Sequence, residues 1–409
     1  MADLVAPVRG ERYADARRLS RLIAPPYDVI DPDERARFAA LDAHNIVHVM
    51  LPEAPGGGAE RYARAAELLA AWRSGGTLRR DERPGLYVLA QDFTLPTGER
   101  HARRGVFAAV AAEGFDPRRV RPHERTHAGP KADRLALLRA TRTNIEAILL
   151  IAPDPQRTLA DALAAVTAAA PDATAELNGV GIRLWAVPDA SRIPLPASPL
   201  YIADGHHRYE TASAYAQESD AGDRMLALIT PATDPGLVIL PTHRVIFGAG
   251  RALEPLLARW RSSFDVSPVP ERADPLRHLA TLGRDRTACL VADAQRLYAL
   301  VLRADVLPDR LPALAQSAAV RELDVARIET LVVRQILGAA TSTPIVRYVA
   351  DHREALAAVR RGAAAAAVLL NPTTIEQVFA VADAGDVMPP KSTYFFPKVP
   401  SGLVLRPLT

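Results

Sequence analysis

A run of polar residues that follows an apolar segment is the part of this sequence best suited to chemistry. The apolar residues Leu200–Ala203 predict a strand, and Arg208–Gln217 has the composition of a helix. Gly205, between them, permits a tight turn and a close approach of the backbone to a ligand. A strand that turns directly into a helix presents backbone N–H groups and the positive end of the helix dipole. The polar run consists of Asp204, Gly205, His206, His207 and Arg208.

Arg208 indicates which ligand such a turn would bind. A cation in the first turn of a helix opposes the helix dipole, whereas an acidic residue would be favourable there. A guanidinium at this position is explained best if it binds an anion that neutralises it. Asp204, just before the turn, is suited to binding Mg²⁺ or to orienting a hydroxyl group. We therefore expect the turn to bind a phosphate-sized anion, the alternative being an ordinary turn with exposed polar side chains.

A second polar segment, Pro122–Leu135, mixes histidine with acidic and basic residues. A Gly-Pro pair soon after His127 predicts a loop, so His123 and His127 would not share one helical face, which argues against a zinc-binding helix. Glu124 is a candidate general base, and Lys131 is a candidate partner for a phosphate group. A solvated, charge-rich loop is the alternative interpretation.

Two shorter segments carry further candidate cations. Leu240–Val245 predicts the end of a strand that bears His243 and Arg244. Met388–Lys398 holds two lysines, Lys391 and Lys398, among prolines, which make this segment more rigid than a flexible tail needs to be. For both segments an exposed cationic loop is the alternative.

Composition limits the classes of protein to which the chain can belong. A length of 409 residues predicts two or three domains. With 49% hydrophobic and 24% charged residues, the chain has the balance of a globular protein. The net charge of +3 gives no reason to expect a protein that coats nucleic acid or a membrane surface. No apolar segment approaches the length of a membrane span, so we expect a cytoplasmic protein.

The single cysteine, Cys289, excludes a disulfide within the chain and a metal site built on paired cysteines. Its neighbours, Thr287–Val291, predict a buried strand. A packed core thiol is therefore favoured over a nucleophile.

The order of predicted helices and strands suggests three regions, 1–118, 119–248 and 249–409. The first contains a predicted strand, Ile46–Leu51, and an amphipathic helix, Glu60–Arg73. The third alternates helix and strand and includes a long predicted helix, Leu323–Leu337. This order predicts an α+β, or mixed α/β, fold. Further strands are predicted at Leu86–Phe93, Gly105–Ala111, Ala147–Ile151, Ile182–Val187, Met225–Thr230, Ala288–Asp293, Leu297–Leu302, Ile345–Val349 and Ala366–Leu370.

Five separated segments together resemble the domain-of-unknown-function family numbered 1015. The resemblance runs nearly from end to end of the chain, and the segments occur in the same order. They are Ile23–Ile30, Pro122–Leu138, Asp204–Ala212, Leu240–Arg244 and Met388–Lys398. The resemblance implies a core related to the ParB/sulfiredoxin fold, in which a Gly-x-x-Arg turn binds nucleotide phosphates, and Gly205–Arg208 matches that turn. The chain would then carry additional N- and C-terminal α/β regions around a ParB/sulfiredoxin-like nucleotide-binding core at 119–248.

The turn at Asp204–Arg208 is also similar to one in free-serine kinases, which phosphorylate L-serine to O-phosphoserine with ADP or ATP. Those kinases carry a Pro-His-Glu segment whose Glu is the base, and Pro122–Glu124 is similar to it. This chain is much longer than those compact kinases, and its spacing from Glu124 to Asp204 is wider. The implied activity is phosphoryl transfer from ATP or ADP, with Mg²⁺, to the hydroxyl of free L-serine or a similar small metabolite.

Each candidate residue has an expected role in that reaction. Glu124 would accept the hydroxyl proton, and Asp204 would ligate Mg²⁺ or orient the acceptor hydroxyl. The expected phosphate-binding residues are Gly205, His206, His207 and Arg208, with Lys131, Arg244 and Lys391 as auxiliary cations. The expected substrate-binding residues are His123, Thr211 and His243.

Three other classes remain open at this point. A ParB-like nucleotide-binding regulator is one, although no helix-turn-helix with a clustered basic face is evident. A metallohydrolase is the second, with Asp204 and histidines from the set His123, His127, His206, His207 and His243 as ligands. A non-catalytic scaffold is the third, and a homodimer is compatible with any of them.

Overall fold

The computed structural model describes residues 3–115, 119–126, 128–197, 199–248, 253–306, 317–338 and 344–408. The chain forms two compact units. The first comprises Met1–Val238 together with the C-terminal residues Pro397–Thr409, and the second comprises Ile239–Phe396. The C-terminal residues thus return to the first unit after the second is complete.

The strands are short in the N-terminal part of the chain and longer in the two large sheets. In chain order they are β1 (Val5–Ala6), β2 (Glu11–Tyr13), β3 (Leu78–Arg80), β4 (Leu86–Thr94), β5 (Arg100–Ala111), β6 (Val120–Arg121), β7 (Thr143–Asn144), β8 (Ile148–Ala152), β9 (Ala173–Leu177), β10 (Val180–Val187), β11 (Leu200–Asp204), β12 (Arg224–Pro231), β13 (Val238–Leu240), β14 (His243–Phe247), β15 (Phe264–Pro268), β16 (Ala288–Ala292), β17 (Leu297–Leu302), β18 (Ile345–Val349), β19 (Ala366–Leu370), β20 (Tyr394–Phe396) and β21 (Arg406–Pro407).

The helices vary from one turn to four. In chain order they are α1 (Leu19–Leu22), α2 (Pro32–Leu41), α3 (Val47–Met50), α4 (Glu60–Ser74), α5 (Ala128–Thr141), α6 (Thr158–Thr167), α7 (His206–Ala216), α8 (Glu254–Trp260), α9 (Pro275–Leu282), α10 (Ala318–Arg321), α11 (Asp324–Ile328), α12 (Arg334–Gly338), α13 (His352–Arg360) and α14 (Ile375–Asp383). A π-helical turn, Glu329–Val333, joins α11 to α12.

A mixed sheet forms the centre of the first unit. Within the described residues it has nine strands, in the order β6-β11-β8-β12-β5-β4-β10-β9, with β1 paired to β5. The pairs β11–β6 and β12–β8 are parallel, and the other pairs are antiparallel. All five residues of β8 are buried, as expected of a continuous apolar strand covered on both faces. The mixed α+β class expected from the sequence is therefore confirmed.

Helices α4, α5 and α7 form a connected layer of the first unit, since α5 packs against both of the others. Helix α4 buries Ala65, Leu69 and Trp72, which lie at helical spacing on one face. Helix α5 begins at Ala128, so the Gly-Pro pair predicted to form a loop belongs instead to its first turn. Proline is tolerated there because the first N–H groups of a helix have no intrahelical acceptor.

The second unit contains an antiparallel sheet in the order β15-β17-β16-β19-β14-β18. Strands β13 and β20, which come near the beginning and the end of this unit in the sequence, form a separate two-stranded sheet. Cys289 is fully buried in β16, and burial raises the pKa of its thiol, as expected for a core residue. The long helix predicted at Leu323–Leu337 is present as α11, the π turn and α12.

The strand predicted at Ile46–Leu51 is wrong, because these residues form the short helix α3. The side chain of Asn45 accepts a hydrogen bond from the N–H of Val47, 2.9 Å away, and so stabilises the helix start. Ile46, Val47 and Met50 are fully buried, and an apolar run that is buried all round has no periodicity that separates helix from strand.

The three predicted regions do not coincide with the two compact units. Strands β4 and β5, from region 1–118, pair with β10 and β12, from region 119–248, in one sheet. The C-terminal residues Pro397–Thr409, from the third region, belong to the first unit. In the described part of the chain, no helix is long and apolar enough to span a membrane.

Candidate functional site

The polar turn predicted from the sequence lies between β11 and α7. Gly205 has a φ of +93°, a left-handed conformation that side chains strongly disfavour. A Cβ atom at Gly205 would lie 2.7 Å from Cγ2 of Ile148 in β8, so the turn also leaves no space for a side chain. The register of β11 against β8 shifts between Ile202 and Asp204, as at a β-bulge, and such a shift changes the direction of the side chains that follow.

The first turn of α7 has the geometry expected of an anion-binding helix start. Gly205 is the residue before the helix and has no side chain with which to cap it. The carbonyl of Gly205 accepts the first helical hydrogen bond, from the N–H of Tyr209 at 2.9 Å. The N–H groups of the first turn belong to residues that come before Tyr209 in the chain. They lie at the positive end of the dipole of this 11-residue helix.

Asp204 holds two cations, one on each carboxylate oxygen. Its Oδ2 accepts a hydrogen bond from Nη2 of Arg208, and its Oδ1 accepts one from Nζ of Lys398, each at 2.5 Å. The side chains are 15%, 7% and 14% exposed for Asp204, Arg208 and Lys398. Burial alone would raise the pKa of the Asp204 carboxyl, but Lys398 and Arg208 together lower it well below its ordinary value. The anion that Arg208 binds in this structure is thus the carboxylate of Asp204.

A second carboxylate lies on the inner side of Arg208. Glu146 is buried, and its Oε1 accepts a hydrogen bond from the N–H of Tyr27 at 3.0 Å. Nη1 of Arg134 lies 3.6 Å from Oε2 of Glu146, and Nη1 of Arg208 donates to the neighbouring carbonyl of Ala147. Burial lowers the pKa of Arg208, but Asp204 and Glu146 outweigh it, so the guanidinium stays charged.

Two histidines join the segment that contains Glu124 to the start of α7. The backbone N–H of His123 donates to Nε2 of His206 at 3.3 Å, and the two rings meet edge to face with centroids 4.7 Å apart. Burial lowers the pKa of His123 to about 4 and the pKa of His206 well below its ordinary value. Both imidazoles are therefore neutral near pH 7, and His206 acts as a hydrogen-bond acceptor instead of a cation.

Glu124, which is half-buried, lies between two residues whose contacts with α7 fix its segment. Before it, the backbone N–H of His123 is hydrogen-bonded to His206. On the other side, Oγ1 of Thr126 donates to Oε2 of Glu210 at 2.6 Å, and Nζ of Lys131 contacts the same oxygen at 2.6 Å. Since His206 and Glu210 both belong to α7, the predicted base and the predicted anion site are held together by one helix.

The structure brings most of the predicted site residues into the first unit but gives several of them partners within the protein. Lys131 is paired with Glu210. Thr211 is buried, and its hydroxyl donates to the carbonyl of His207 at 2.8 Å in the same helix. His207 is half-buried in the first turn of α7. His127 lies outside the described residues.

His243, Arg244 and Lys391 belong to the second unit. Arg244, in β14, is 1% exposed; its Nη1 donates to the carbonyl of Thr242, and its Nε lies 3.6 Å from Oε2 of Glu329. Nδ1 of His243 accepts a hydrogen bond from the N–H of Leu370 at 3.3 Å, and burial lowers the pKa of His243 to about 3. Lys391 is exposed, and its carbonyl accepts a hydrogen bond from the hydroxyl of Thr242.

A metal site is not evident around Asp204. Among the residues that the structure describes, no group of three or more His, Cys, Asp or Glu side chains is arranged to hold a metal ion. Both oxygens of Asp204 already accept hydrogen bonds from cations. A Mg²⁺ ion bound to the same carboxylate would meet two positive charges at close range, so Asp204 in this arrangement does not fit a metal ligand.

Sequence reasoning assigned no role in the site to Lys398, Glu146, Arg134 or Tyr27. Three of them lie in segments that were singled out: Tyr27 in Ile23–Ile30, Arg134 in Pro122–Leu138 and Lys398 in Met388–Lys398. Their place in these segments was the only sequence signal that could have pointed to them. Glu146 had no such signal, because it is a single acidic residue in the short connection between β7 and β8.

The chain belongs to the family described as a protein of unknown function, DUF1015, whose family model matches residues 5–326. The match ends before Lys391 and Lys398. A search of curated proteins found no match.

Several solved structures are similar to this chain at low identity. A mutant free serine kinase in complex with AMP is 12% identical, with 71% of this chain and 86% of that chain covered and a TM-score of 0.38. Another mutant of a free serine kinase, in complex with ADP, is 13% identical, with the same shares covered and a TM-score of 0.37. SbnI with a C-terminal truncation, from Staphylococcus aureus, is 9% identical, with 74% and 87% covered and a TM-score of 0.38. TM-scores this low carry no conclusion about the activity of this chain.

Proposed function

We propose that this protein is a small-molecule kinase that transfers a phosphoryl group from ATP or ADP to the hydroxyl of free L-serine or a similar small metabolite. One observation carries the proposal: the segment that holds Glu124 is fixed to the same helix, α7, whose first turn faces the anion site. A phosphotransferase needs a base and a phosphate site at a fixed separation, and the attachment of both segments to one helix supports the proposal. Within the same proposal, the core around this turn is ParB/sulfiredoxin-like, and the reaction is cytoplasmic.

The first step of the proposed reaction is binding of the nucleotide phosphates at the start of α7. Backbone N–H groups at a helix N-terminus bind phosphate oxygens, and the helix dipole favours their negative charge. Gly205 lets a phosphate approach the backbone because no Cβ is present. His206 stays neutral beneath the turn and holds His123, while Arg208 anchors the turn to the strand through Asp204 and the carbonyl of Ala147.

The second step is attack by the acceptor hydroxyl. Its oxygen forms a bond to the terminal phosphorus as the bond to the nucleotide breaks, which leaves ADP from ATP or AMP from ADP. Glu124 accepts the hydroxyl proton. No step of this scheme uses a metal bound to Asp204, because that carboxylate holds Arg208 and Lys398.

The experiment that tests the proposal is a ³¹P NMR assay of the full-length protein with L-serine, Mg²⁺ and, in turn, ATP, ADP and pyrophosphate. The proposed activity produces an O-phosphoserine signal with at least one donor. If no donor yields phosphoserine, L-serine is not the acceptor, and the same assay with other small hydroxylated metabolites decides whether any acceptor is phosphorylated.

The role of Glu124 has its own test. Glu124→Gln removes the proton acceptor but keeps the shape of the side chain, so turnover should fall by roughly 10²–10⁴-fold with nucleotide affinity largely kept. Glu218→Gln is the matched control, because Glu218 is exposed after the last turn of α7 and pairs with Arg139 there. Turnover of Glu124→Gln equal to that of the control would exclude Glu124 as the base.

A further inference from the structure

We propose that Lys398, from the C-terminal segment Pro397–Leu408, contacts the nucleotide phosphates at the start of α7 and is a binding residue of the site. The inference rests on the proposed nucleotide-dependent reaction and adds a cation to it. It is carried by the ion pair that Nζ of Lys398 makes with Asp204, the last residue of β11 before the turn.

The position of Lys398 is fixed by hydrogen bonds to its own carbonyl and to the backbone that follows it. Nε2 of Gln91, in β4, donates to the carbonyl of Lys398 at 3.0 Å. Three residues further on, Ser401 exchanges two backbone hydrogen bonds with Ala24, at 2.8 and 3.3 Å. Leu405 exchanges two with Glu11, both at 2.8 Å. The segment is thus built into the first unit, and the ammonium of Lys398 is held at the turn with little freedom of its backbone.

Of the two cations on Asp204, Lys398 is the one suited to a ligand. Arg208 directs Nη1 to the carbonyl of Ala147 and lies close to the buried Glu146, so its guanidinium is committed to the interior. Lys398 carries a compact ammonium with three N–H donors on a flexible stem. An ammonium of this kind can bridge a carboxylate and a phosphate oxygen at the same time.

The charges around the turn favour an anion beside Lys398. Both oxygens of Asp204 accept hydrogen bonds from cations, so its negative charge is already balanced on the side of Lys398 and on the side of Arg208. The charge of Lys398 also reaches the imidazole of His206, in the first turn of α7, and helps to keep that ring neutral. The cation, the helix start and the neutral imidazole therefore lie together at one end of α7.

The amino-acid usage of the chain supports a specific need for lysine. Only three of its 50 lysine and arginine residues are lysines, and they are Lys131, Lys391 and Lys398. Nearly everywhere else the chain uses arginine where it carries a cation. A lysine held at the anion site in such a chain is consistent with a contact that requires a small, strongly hydrated point charge, and an arginine would not replace it without loss.

The test is isothermal titration of the full-length protein with ADP, in wild type, Lys398→Met, Lys398→Arg and Arg406→Met. Arg406 is a matched control, because it lies in the same segment with the same 14% exposure and contacts Asp223 instead of Asp204. Lys398→Met should raise the Kd for ADP by about 10–100-fold, the effect of one lost charge-assisted hydrogen bond. Lys398→Arg keeps the charge and should raise the Kd for ADP by about three- to tenfold, since the larger, planar guanidinium cannot take the same position against the phosphate as an ammonium. Arg406→Met should leave the Kd within about twofold of wild type, since surroundings away from the site contribute little.

The outcomes separate this inference from the proposed function. Wild-type affinity in Lys398→Met overturns the role of Lys398 and leaves nucleotide binding intact. Failure of the wild-type protein to bind ADP or ATP overturns the proposed function itself. If Lys398→Met does not fold, Lys398→Arg decides: an unchanged Kd in that variant contradicts the requirement for a compact ammonium.

Discussion

The two units each bury an arginine that directly follows a histidine, and the two arginines have opposite electrostatic surroundings. Arg208, in the first unit, lies 2.5 Å from the carboxylate of Asp204, and its pKa is raised in spite of burial. Arg244, in the second unit, has its nearest carboxylate, Glu329, at 3.6 Å, and burial lowers its pKa. Nη2 of Arg244 has no partner within hydrogen-bond distance among the described residues.

This difference shows that a His-Arg pair in the sequence does not by itself define a site. The first pair sits at a strand-to-helix turn where two carboxylates and a lysine converge on it. The second lies within a strand and contacts the carbonyl of Thr242 and the ring of Tyr348, 5.3 Å from the guanidinium. Of the two pairs, the first lies at the start of a helix and the second in a strand.

The largest expected contrast between the units is in stability. Arg208→Met would leave Asp204 and Glu146 buried with less compensating charge, and we expect the free energy of unfolding of the first unit to fall by about 3–5 kcal/mol. Arg244→Met removes a buried cation whose charge is only partly balanced by Glu329. We therefore expect the free energy of unfolding of the second unit to change by about 1 kcal/mol. Hydrogen exchange measured peptide by peptide reports each unit separately. Equal losses in the two variants would contradict the comparison.

The tightness of the turn gives the next contrast. Gly205→Ala should destabilise the first unit by about 2–4 kcal/mol, from the left-handed conformation and from overpacking against Ile148. Gly362→Ala is the control in the second unit, because Gly362 has a φ of +69° and nothing within 4 Å of a Cβ atom. Gly362→Ala should lower the free energy of unfolding only by the cost of the left-handed conformation, about 1–2 kcal/mol. Urea denaturation followed by hydrogen exchange compares the two, and a loss in Gly205→Ala no larger than in Gly362→Ala would show that the turn is not tightly packed.

Acid should weaken both units through their buried histidines. Because burial depresses the folded-state pKa, to about 4 for His123 and about 3 for His243, the unfolded state binds protons more readily. Their contribution is fully present above the unfolded pKa of about 6.5 and is lost as the pH falls towards the folded values. Between pH 7 and pH 5 each histidine should remove about 2 kcal/mol of stability.

Glutamine substitutions assign that pH dependence to a unit. His123→Gln should reduce the pH dependence of exchange in the first unit, where the buried His206 still contributes, and His243→Gln should reduce it in the second, where His352 still contributes. A variant that retains the full pH dependence of its own unit would show that its imidazole is not held neutral in the folded state.

The smallest effect concerns Lys131. Its pair with Glu210 is about one-third exposed, with 36% of the Lys131 side chain accessible, so Lys131→Met should change stability by only about 0–1 kcal/mol. A loss several times larger in thermal or urea denaturation would show that the segment carrying Glu124 depends on this pair far more than its exposure indicates.

Local features of the site could be predicted from the sequence, and long-range ones could not. Gly205 after an apolar strand identified the turn, and the continuous apolar residues of β8 and β12 predicted these two strands but not their place in the sheet. The helix at Val47–Met50 was missed because residues buried on every side show neither helical nor strand periodicity. The pair between Asp204 and Lys398 joins residues 194 positions apart, and only the folded sheet and the returning C-terminal segment bring them together.

The central claim is that the turn from Asp204 to Arg208 binds nucleotide phosphates, and a crystal structure of the full-length protein with ADP tests it most directly. The account predicts phosphate oxygens within hydrogen-bond distance, about 3 Å, of backbone N–H groups in the first turn of α7. ADP bound with its phosphates anywhere else in the chain would contradict it.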